Sequence, residues 1–417
     1  MHEEVTISAV GAGGEGVAKT ASGAVCVPFA LPGEVVNIAR AGDGALVMAL
    51  KQASPARVVP PCQYFESCGG CVLQHWRLEE YQHWKRELVV TALQARGLDV
   101  PVDALVPAHA CSRRRIMLSA RLTAKGQVVG FNRYHSHDVV EVTECPVTVA
   151  EITSRFDDLR LVAGALSGRN KMLHLTVTLA GNGLDIAITG AKALEEAERQ
   201  RLVRLCLGKQ FARIAVDGEI IVEREKPRLD FGGVTVEIPS GGFLQATAEA
   251  ENILQKLVLE GLGKTRQALD LFAGVGTFTF PMAKRMNVHA VEFDKPALAA
   301  MERAARRATG LKKFSHEQRD LFRRPLSHKE IAGFDGLVFD PPRAGAEAQV
   351  AEIARAIVPR VVAVSCNPVT LARDLKILVD GGYAIKRIVP VDQFLWTPHV
   401  EAVAFLARRR PKPGWKL

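Results

Sequence analysis

Two short segments near the C-terminal end of the chain carry residue types suited to covalent catalysis. Val364-Ser-Cys366-Asn-Pro368 closes an apolar run with a cysteine, and Thr397-Pro-His399-Val-Glu401 sets a carboxylate just before another apolar run. A thiolate with a carboxylate beside it makes a nucleophile and base pair, so Cys366 and Glu401 are the candidate catalytic residues. Cys366 stands just before Asn-Pro and an expected helix start, whose dipole would favour the thiolate. Asp340-Pro-Pro-Arg343 ends an earlier apolar run. Its two prolines stiffen the exit turn and hold Asp340 forward.

A cofactor signature lies upstream, in Asp270-Leu-Phe272-Ala-Gly274-Val-Gly276-Thr277-Phe278. An apolar strand runs there into glycines and then into a helix, which lets backbone approach a ligand closely. A second strand ends in Glu292, where a carboxylate can accept from both ribose hydroxyls of an adenosine group. Together these predict a nucleoside cofactor. The strands must then be those of a parallel, doubly wound α/β sheet, expected at Ala268–Phe272, Val288–Glu292, Gly336–Asp340 and Arg360–Ser365. In such a sheet the carboxyl ends of the strands border the ligand crevice, which gathers Asp340 and Cys366 on one rim.

A different chemistry is written in Cys62-x5-Cys68-Gly-Gly-Cys71, with Cys145 in Glu144-Cys-Pro146 far downstream. Three thiols close together and one remote suit an iron–sulfur cluster or a zinc site; the single triplet, without paired C-x2-C knuckles, favours iron–sulfur. Cys26, Cys111 and Cys206 lie in apolar or unpatterned settings and are expected to be buried thiols.

The rest of the chain divides into three parts. Residues 1–56 alternate short apolar runs with glycines, the pattern of a small β-barrel. Residues 57–232 open with a Pro-rich joint and an amphipathic helix over Trp76–Gly97, then mix strands with a helix at Leu194–Leu207, an α+β pattern. Strand and helix alternate over 233–417. The 417 residues carry 48% hydrophobic and 24% charged residues, which excludes disordered, collagen-like and coiled-coil chains. No apolar run reaches the length of a membrane span and no leader pattern opens the chain, so a cytoplasmic protein is expected. The net charge of +9 suits a nucleic-acid partner. Arg113-Arg-Arg115 and Arg408-Arg-Arg-Pro-Lys412 are the candidate phosphate contacts, and His75, Trp76, Tyr81 and Trp84 the candidate stacking faces for RNA.

In their order, these motifs and Gly242-Phe-Leu-Gln245 resemble the S-adenosylmethionine-dependent RNA uracil-5 methyltransferases, specifically members with an N-terminal TRAM barrel and an iron–sulfur centre. The resemblance covers nearly the whole chain. It implies a Rossmann-like methyltransferase domain, an OB-like barrel and an α+β central domain holding a 4Fe-4S cluster on Cys62, Cys68, Cys71 and Cys145. It implies Cys366 as nucleophile and Glu401 as base. Cofactor-binding positions fall on Gln245, Phe272, Gly274, Gly276, Thr277, Glu292 and Asp340, with Asp320 near the adenine. It also implies that the 76–97 helix packs on the catalytic domain and that ribosomal RNA is the substrate, with transfer RNA as the alternative; a monomer is the default expectation. Two departures stand out: Gln245-Ala-Thr247 replaces a Gln-x-Asn pattern, and Phe394-Leu-Trp-Thr-Pro398 replaces a commoner Pro-x-Thr. A radical enzyme using the same cofactor would leave one cluster iron open, whereas Cys145 supplies a fourth ligand. A catalytically silent RNA-binding module is disfavoured by the intact Cys366 and Glu401.

Overall fold

The computed structural model describes residues 2–21, 23–41, 44–123, 126–166, 172–191, 194–206 and 208–408. Strands β1 (His2–Val10), β2 (Gly16–Thr20), β3 (Gly23–Val27), β4 (Val35–Ala41) and β5 (Gly44–Gln52) close into a barrel in the order β1-β2-β3-β5-β4. Period-2 alternation explains it: on β3, Val25 and Val27 point into the barrel core while Cys26 between them faces outward. Cys26 is therefore an exposed thiol, not a buried one. Cys111 is exposed as well, and of the three only Cys206 is buried.

A helix over Leu78–Gln94 follows, shorter at both ends than the expected 76–97. Tyr81, Trp84, Val89 and Leu93 make its buried face, as the i, i+3, i+4 spacing of an amphipathic helix requires. Val89 and Leu93 enter the same core as Leu371, Leu375 and Leu378 of the Pro368–Asp380 helix. His75, Trp76, Tyr81 and Trp84 are all buried, in or against the core between barrel and helix. They are packing residues, and the stacking role expected of them for RNA is excluded by their burial.

The central sheet holds β6 (Arg115–Thr123), β7 (Gly126–Asn132), β8 (Val139–Glu141), β9 (Leu173–Ala180), β10 (Gly183–Thr189), β11 (Arg213–Val216) and β12 (Glu219–Glu223) in the order β12-β11-β10-β9-β6-β7-β8. Helices Phe156–Ala165 and Glu196–Cys206 pack on it. A hairpin, β13 (Arg228–Asp230) and β14 (Thr235–Glu237), straddles the boundary expected at 232/233; Phe231 at its turn packs with Phe280 and Met301 beyond it.

The last sheet is ordered β17-β16-β15-β18-β19-β21-β20, from β15 (Gln267–Leu271), β16 (Asn287–Glu292), β17 (Phe314–Gln318), β18 (Gly336–Phe339), β19 (Arg360–Ser365), β20 (Tyr383–Val391) and β21 (Glu401–Arg408). Buried apolar runs on β15, β18 and β19 are those of strands covered on both faces. The sheet is not wholly parallel: β21 runs antiparallel between β19 and β20. An antiparallel strand begins where its neighbours end, and this reversal brings Glu401 to the rim that carries Cys366. Among the described residues no helix is long and apolar enough to cross a membrane.

Candidate active site

The rim is stitched together at its turns. Ser365 pairs with Ala402 across β19 and β21, so Cys366 and Glu401, the next residues outward, lie side by side. Asn367 caps the Pro368–Asp380 helix by accepting from the Val369 N–H at 3.1 Å, and its Nδ2 donates to the Arg343 carbonyl at 3.0 Å. Thr370 Oγ1 donates to the same carbonyl at 3.2 Å. The Asp-Pro-Pro-Arg turn is thereby fixed against the turn that presents Cys366, and Arg343 Nη2 lies 3.3 Å from His399 Nδ1.

Protonation at this rim is dominated by burial. The Cys366 thiol is pushed up to about 11 by desolvation, with the Glu401 and Asp340 carboxylates adding to the rise and Arg343 opposing it. The expected thiolate-favouring helix start does not prevail in the free enzyme, because burial of the thiol disfavours its charged form and the neighbouring carboxyls add to that. Glu401 and Asp340 are both raised by desolvation, and Asp340 raises Glu401 further. Gln393 Nε2 donates to Glu401 Oε2 at 2.7 Å and to Gln245 Oε1 at 2.8 Å, and Gln245 Nε2 donates to Asp340 Oδ2 at 3.1 Å. Glu401 Oε1 is buried with no hydrogen-bond partner among the described residues.

Beside this group lie the strand-end residues expected to hold a nucleoside cofactor. Phe272 (φ +62°) and Gly274 (φ +55°) turn the chain out of β15 in the left-handed region, and the Gly274 N–H donates to Glu292 Oε2 at 2.8 Å. Glu292 Oε1 accepts from the N–H groups of Phe293 and Asp294 at 2.6 and 2.7 Å. Gly276 has φ +97°, and a Cβ there would come within 2.6 Å of Phe280; only glycine fits. Thr277, half-buried, follows it directly. Asp270 is buried beneath, accepting from Thr279 Oγ1 at 2.5 Å, and is pushed up to about 7 by desolvation and by Asp340 and Glu292. Asp320 caps its own turn, its Oδ1 accepting from the Phe322 and Arg323 N–H groups at 2.9 and 3.2 Å. Phe322 in that turn packs on Phe272, ring centroids 5.5 Å apart.

Cys62, Cys68, Cys71 and Cys145 line one cavity of about 630 Å³, which extends to Gln393, Phe394 and His399 of the catalytic rim. Burial pushes Cys68 and Cys71 up to about 11 and about 12, and the neighbouring thiols raise them further. Among the described residues no three His, Cys, Asp or Glu side chains converge on a point that a single metal ion could occupy. Arg113 stands between the two regions, its guanidinium 5.9 Å from the centre of the Phe394 ring. Arg114 is committed to a buried ion pair with Glu251 at 2.6 Å. Arg408 donates to the Ala354 carbonyl and covers Tyr383. Neither is free for phosphate, and Arg409, Arg410 and Lys412 lie outside the described residues.

Residues 185–409 match the family described as tRNA (Uracil-5-)-methyltransferase. The chain belongs to that family. It is 54% identical, over 98% of both chains, to an uncharacterized RNA methyltransferase of Brucella suis. It is 32% identical to the 23S rRNA (uracil(1939)-C(5))-methyltransferase RlmD of Halomonas elongata, covering 97% of this chain and 89% of that one. Among solved structures it resembles the Pyrococcus abyssi tRNA (uracil-54, C5)-methyltransferase in complex with S-adenosyl-L-homocysteine, with TM-score 0.76 and 25% identity over 97% of this chain and 99% of that one. The protein is thus an RNA methyltransferase with an α/β methyltransferase fold and a closed five-stranded barrel. Sequence reasoning passed over Gln393 and Asp392, a polar pair directly after the apolar end of β20. Their position at a strand end on the catalytic rim was the available signal.

Proposed function

We propose that this enzyme transfers a methyl group from S-adenosylmethionine to carbon 5 of a uridine in RNA, with Cys366 as nucleophile and Glu401 as base. The observation that carries the reading is the register of β19 and β21, which sets Cys366 beside Glu401 with Asp340 near both. Carbon 5 of uracil is a weak nucleophile, so the thiolate first adds to carbon 6 and creates an enolate. The sulfonium supplies the methyl group. Glu401 then takes the proton from carbon 5, the enolate re-forms, and the thiolate leaves carbon 6. The products are 5-methyluridine, S-adenosylhomocysteine and a proton. The Asp270, Glu292 and Asp340 carboxylates crowd the cofactor side, which suits a ligand bearing positive charge. Gln245, Phe272, Gly274, Gly276, Thr277 and Glu292 border that side; Asp320 lies at its edge, packed through Phe322.

For the four thiols we propose a 4Fe-4S cluster. The support is their placement: all four line one cavity, and Cys62, Cys68 and Cys145 lie near enough to Cys71 to raise its thiol, which suits a cluster held by four cysteines. When bound, the cluster would supply a covalent tie between the 62–71 loop and Cys145, with no part in methyl transfer. The barrel, in its TRAM role, and the cavity beside Arg113 would present RNA to the rim. The relative acting on 23S rRNA favours ribosomal RNA as substrate, and transfer RNA is the second reading because the solved structure acts on tRNA.

The test is to incubate the protein with labelled S-adenosylmethionine and unmodified ribosomal or transfer RNA, then map the product nucleoside by mass spectrometry. A single 5-methyluridine in ribosomal RNA is expected, and a product only in transfer RNA would move the substrate. Transfer to neither would overturn the reading. Anaerobically purified protein is expected to be coloured and to contain iron and sulfide; colourless protein containing zinc would overturn the cluster.

A further inference from the structure

We propose that Gln393 is a positioning residue for the base, which reserves one oxygen of Glu401, Oε1, for the proton leaving carbon 5 and ties the base through Gln245 to Asp340. The inference rests on the role proposed above for Glu401 and names the atoms that perform it.

The argument begins with the orientation of one amide. Gln393 Oε1 accepts the backbone N–H of Ala246 at 2.9 Å. A backbone N–H only donates, so the oxygen of the Gln393 amide must face Ala246 and its two N–H bonds must point the other way. Those two bonds are both used, one on Glu401 Oε2 and one on Gln245 Oε1. Gln245 is fixed in turn: its oxygen is an acceptor, so its nitrogen donates to Asp340 Oδ2. Donation runs outward from Gln393 to both carboxyl groups, and no step can be reversed without breaking the Ala246 contact.

The two oxygens of Glu401 are then unequal. Oε2 presents a lone pair to Gln393 and cannot carry a proton there. Oε1, buried and without a partner among the described residues, is the oxygen left bare in the carboxylate and protonated in the acid. An unpartnered buried carboxylate oxygen is a strong proton acceptor. The titratable groups that face this carboxyl are Asp340 and the Cys366 thiol, and neither donates to Oε1.

The side chain cannot swing easily, because its backbone is clamped. Asp392, its neighbour, accepts from Lys85 Nζ at 2.6 Å and from Tyr81 Oη at 2.8 Å, both on the Leu78–Gln94 helix. Gln245, Gln393 and Glu401 are each at most 3% exposed, so water does not offer a substitute donor.

The test compares Gln393→Met, which keeps size and removes the donors, with wild type on RNA carrying either hydrogen or deuterium at uracil carbon 5. Proton removal should become rate-limiting: kcat falls roughly 10- to 100-fold, as for loss of an orienting partner. The deuterium effect on kcat should grow, and a methylated protein–RNA adduct should accumulate. The acid limb of the pH profile should move upward, because Glu401 loses a donor to its charged form. Binding of S-adenosylhomocysteine should stay within a few-fold. Wild-type turnover, or lost turnover with neither isotope effect nor adduct, would overturn the proposal. Gln393→Glu keeps the acceptor for Ala246 but has at most one proton to donate, and the same readouts decide if the methionine variant does not fold. Glu401→Gln run in parallel separates the two ideas. If it traps an adduct and both Gln393 variants do not, only the positioning role fails; if it traps none, the role of the base fails first.

Discussion

Replacing Lys85 by methionine tests how the catalytic rim is anchored. Lys85 is fully buried, with Nζ 2.6 Å from Asp392 Oδ1 and 2.9 Å from the Phe394 carbonyl. The methionine keeps the apolar stem and removes the charge. Asp392 would remain buried, still accepting from Tyr81 Oη and from the Phe394 N–H, each at 2.8 Å. Loss of one partner of a buried pair costs about 3–5 kcal/mol, because the other charge is left uncompensated. Two surviving donors put this case at the lower end, about 3 kcal/mol, or roughly a hundredfold in a local opening equilibrium. Because the chain has several packed parts, a single global unfolding midpoint is a poor readout. Amide hydrogen exchange over the Leu78–Gln94 helix and over residues 392–396 reads the opening directly. Protection there should fall about a hundredfold, and kcat should fall with it, since Gln393 follows Asp392. Adding Asp392→Asn removes the stranded charge, and the pair should be less damaging than the sum of the two changes by about 1–3 kcal/mol. Wild-type exchange in Lys85→Met, or strictly additive losses in the double variant, would refute the reasoning.

Three further outcomes follow from the site. Alkylation of Cys366 by iodoacetamide in the free enzyme, followed by peptide mass spectrometry, should accelerate about tenfold per pH unit and level off only near pH 11, because the thiol is raised to about 11; a plateau at neutral pH would contradict it. Asp270 is raised from 3.8 to about 7 in the fold, so its contribution is full below pH 4 and is lost as pH rises toward 7. Asp270→Asn, which keeps an acceptor for Thr279, should gain on wild type across that window by roughly 3–4 kcal/mol at about 1.4 kcal/mol per unit, read as amide-exchange protection of β15 relative to wild type at pH 4 and at pH 8; an unchanged difference would count against a neutral Asp270. Gly276→Ala places a Cβ against Phe280 at a φ of +97°, a strain of about 1–3 kcal/mol, and calorimetry should show weaker binding of S-adenosylhomocysteine.

Much of the catalytic domain was legible because its chemistry sits at strand ends marked by glycine, proline and acidic residues. The β15 and β16 exits and the Asp340 and Cys366 turns all fall within a residue or two of where the apolar runs end. The antiparallel course of β21 was not legible, since an apolar run has no direction, yet that reversal is what brings Glu401 to Cys366. Buried polar pairs were hidden for a different reason. Lys85 and Asp392 are 307 residues apart, and Arg114 and Glu251 are 137 apart, so local pattern gives no hint that they meet. Arg114 therefore looked like a phosphate contact, and Trp76 and Trp84 like stacking faces, because a buried aromatic and an exposed one are spelled alike. The hydrogen bonds of Gln393 are visible only once Ala246, Gln245 and Glu401 are seen around it.

The covalent step is the centre of the account, and one measurement reaches it directly. Glu401→Gln protein is mixed with substrate RNA and S-adenosylmethionine, denatured, and analysed by gel and mass spectrometry, with Glu401→Gln/Cys366→Ala as the partner sample. The account predicts a protein–RNA species that survives denaturation, carries the transferred methyl group, maps to Cys366, and is absent from the double variant. No adduct with Glu401→Gln, or an equal adduct without Cys366, would contradict it.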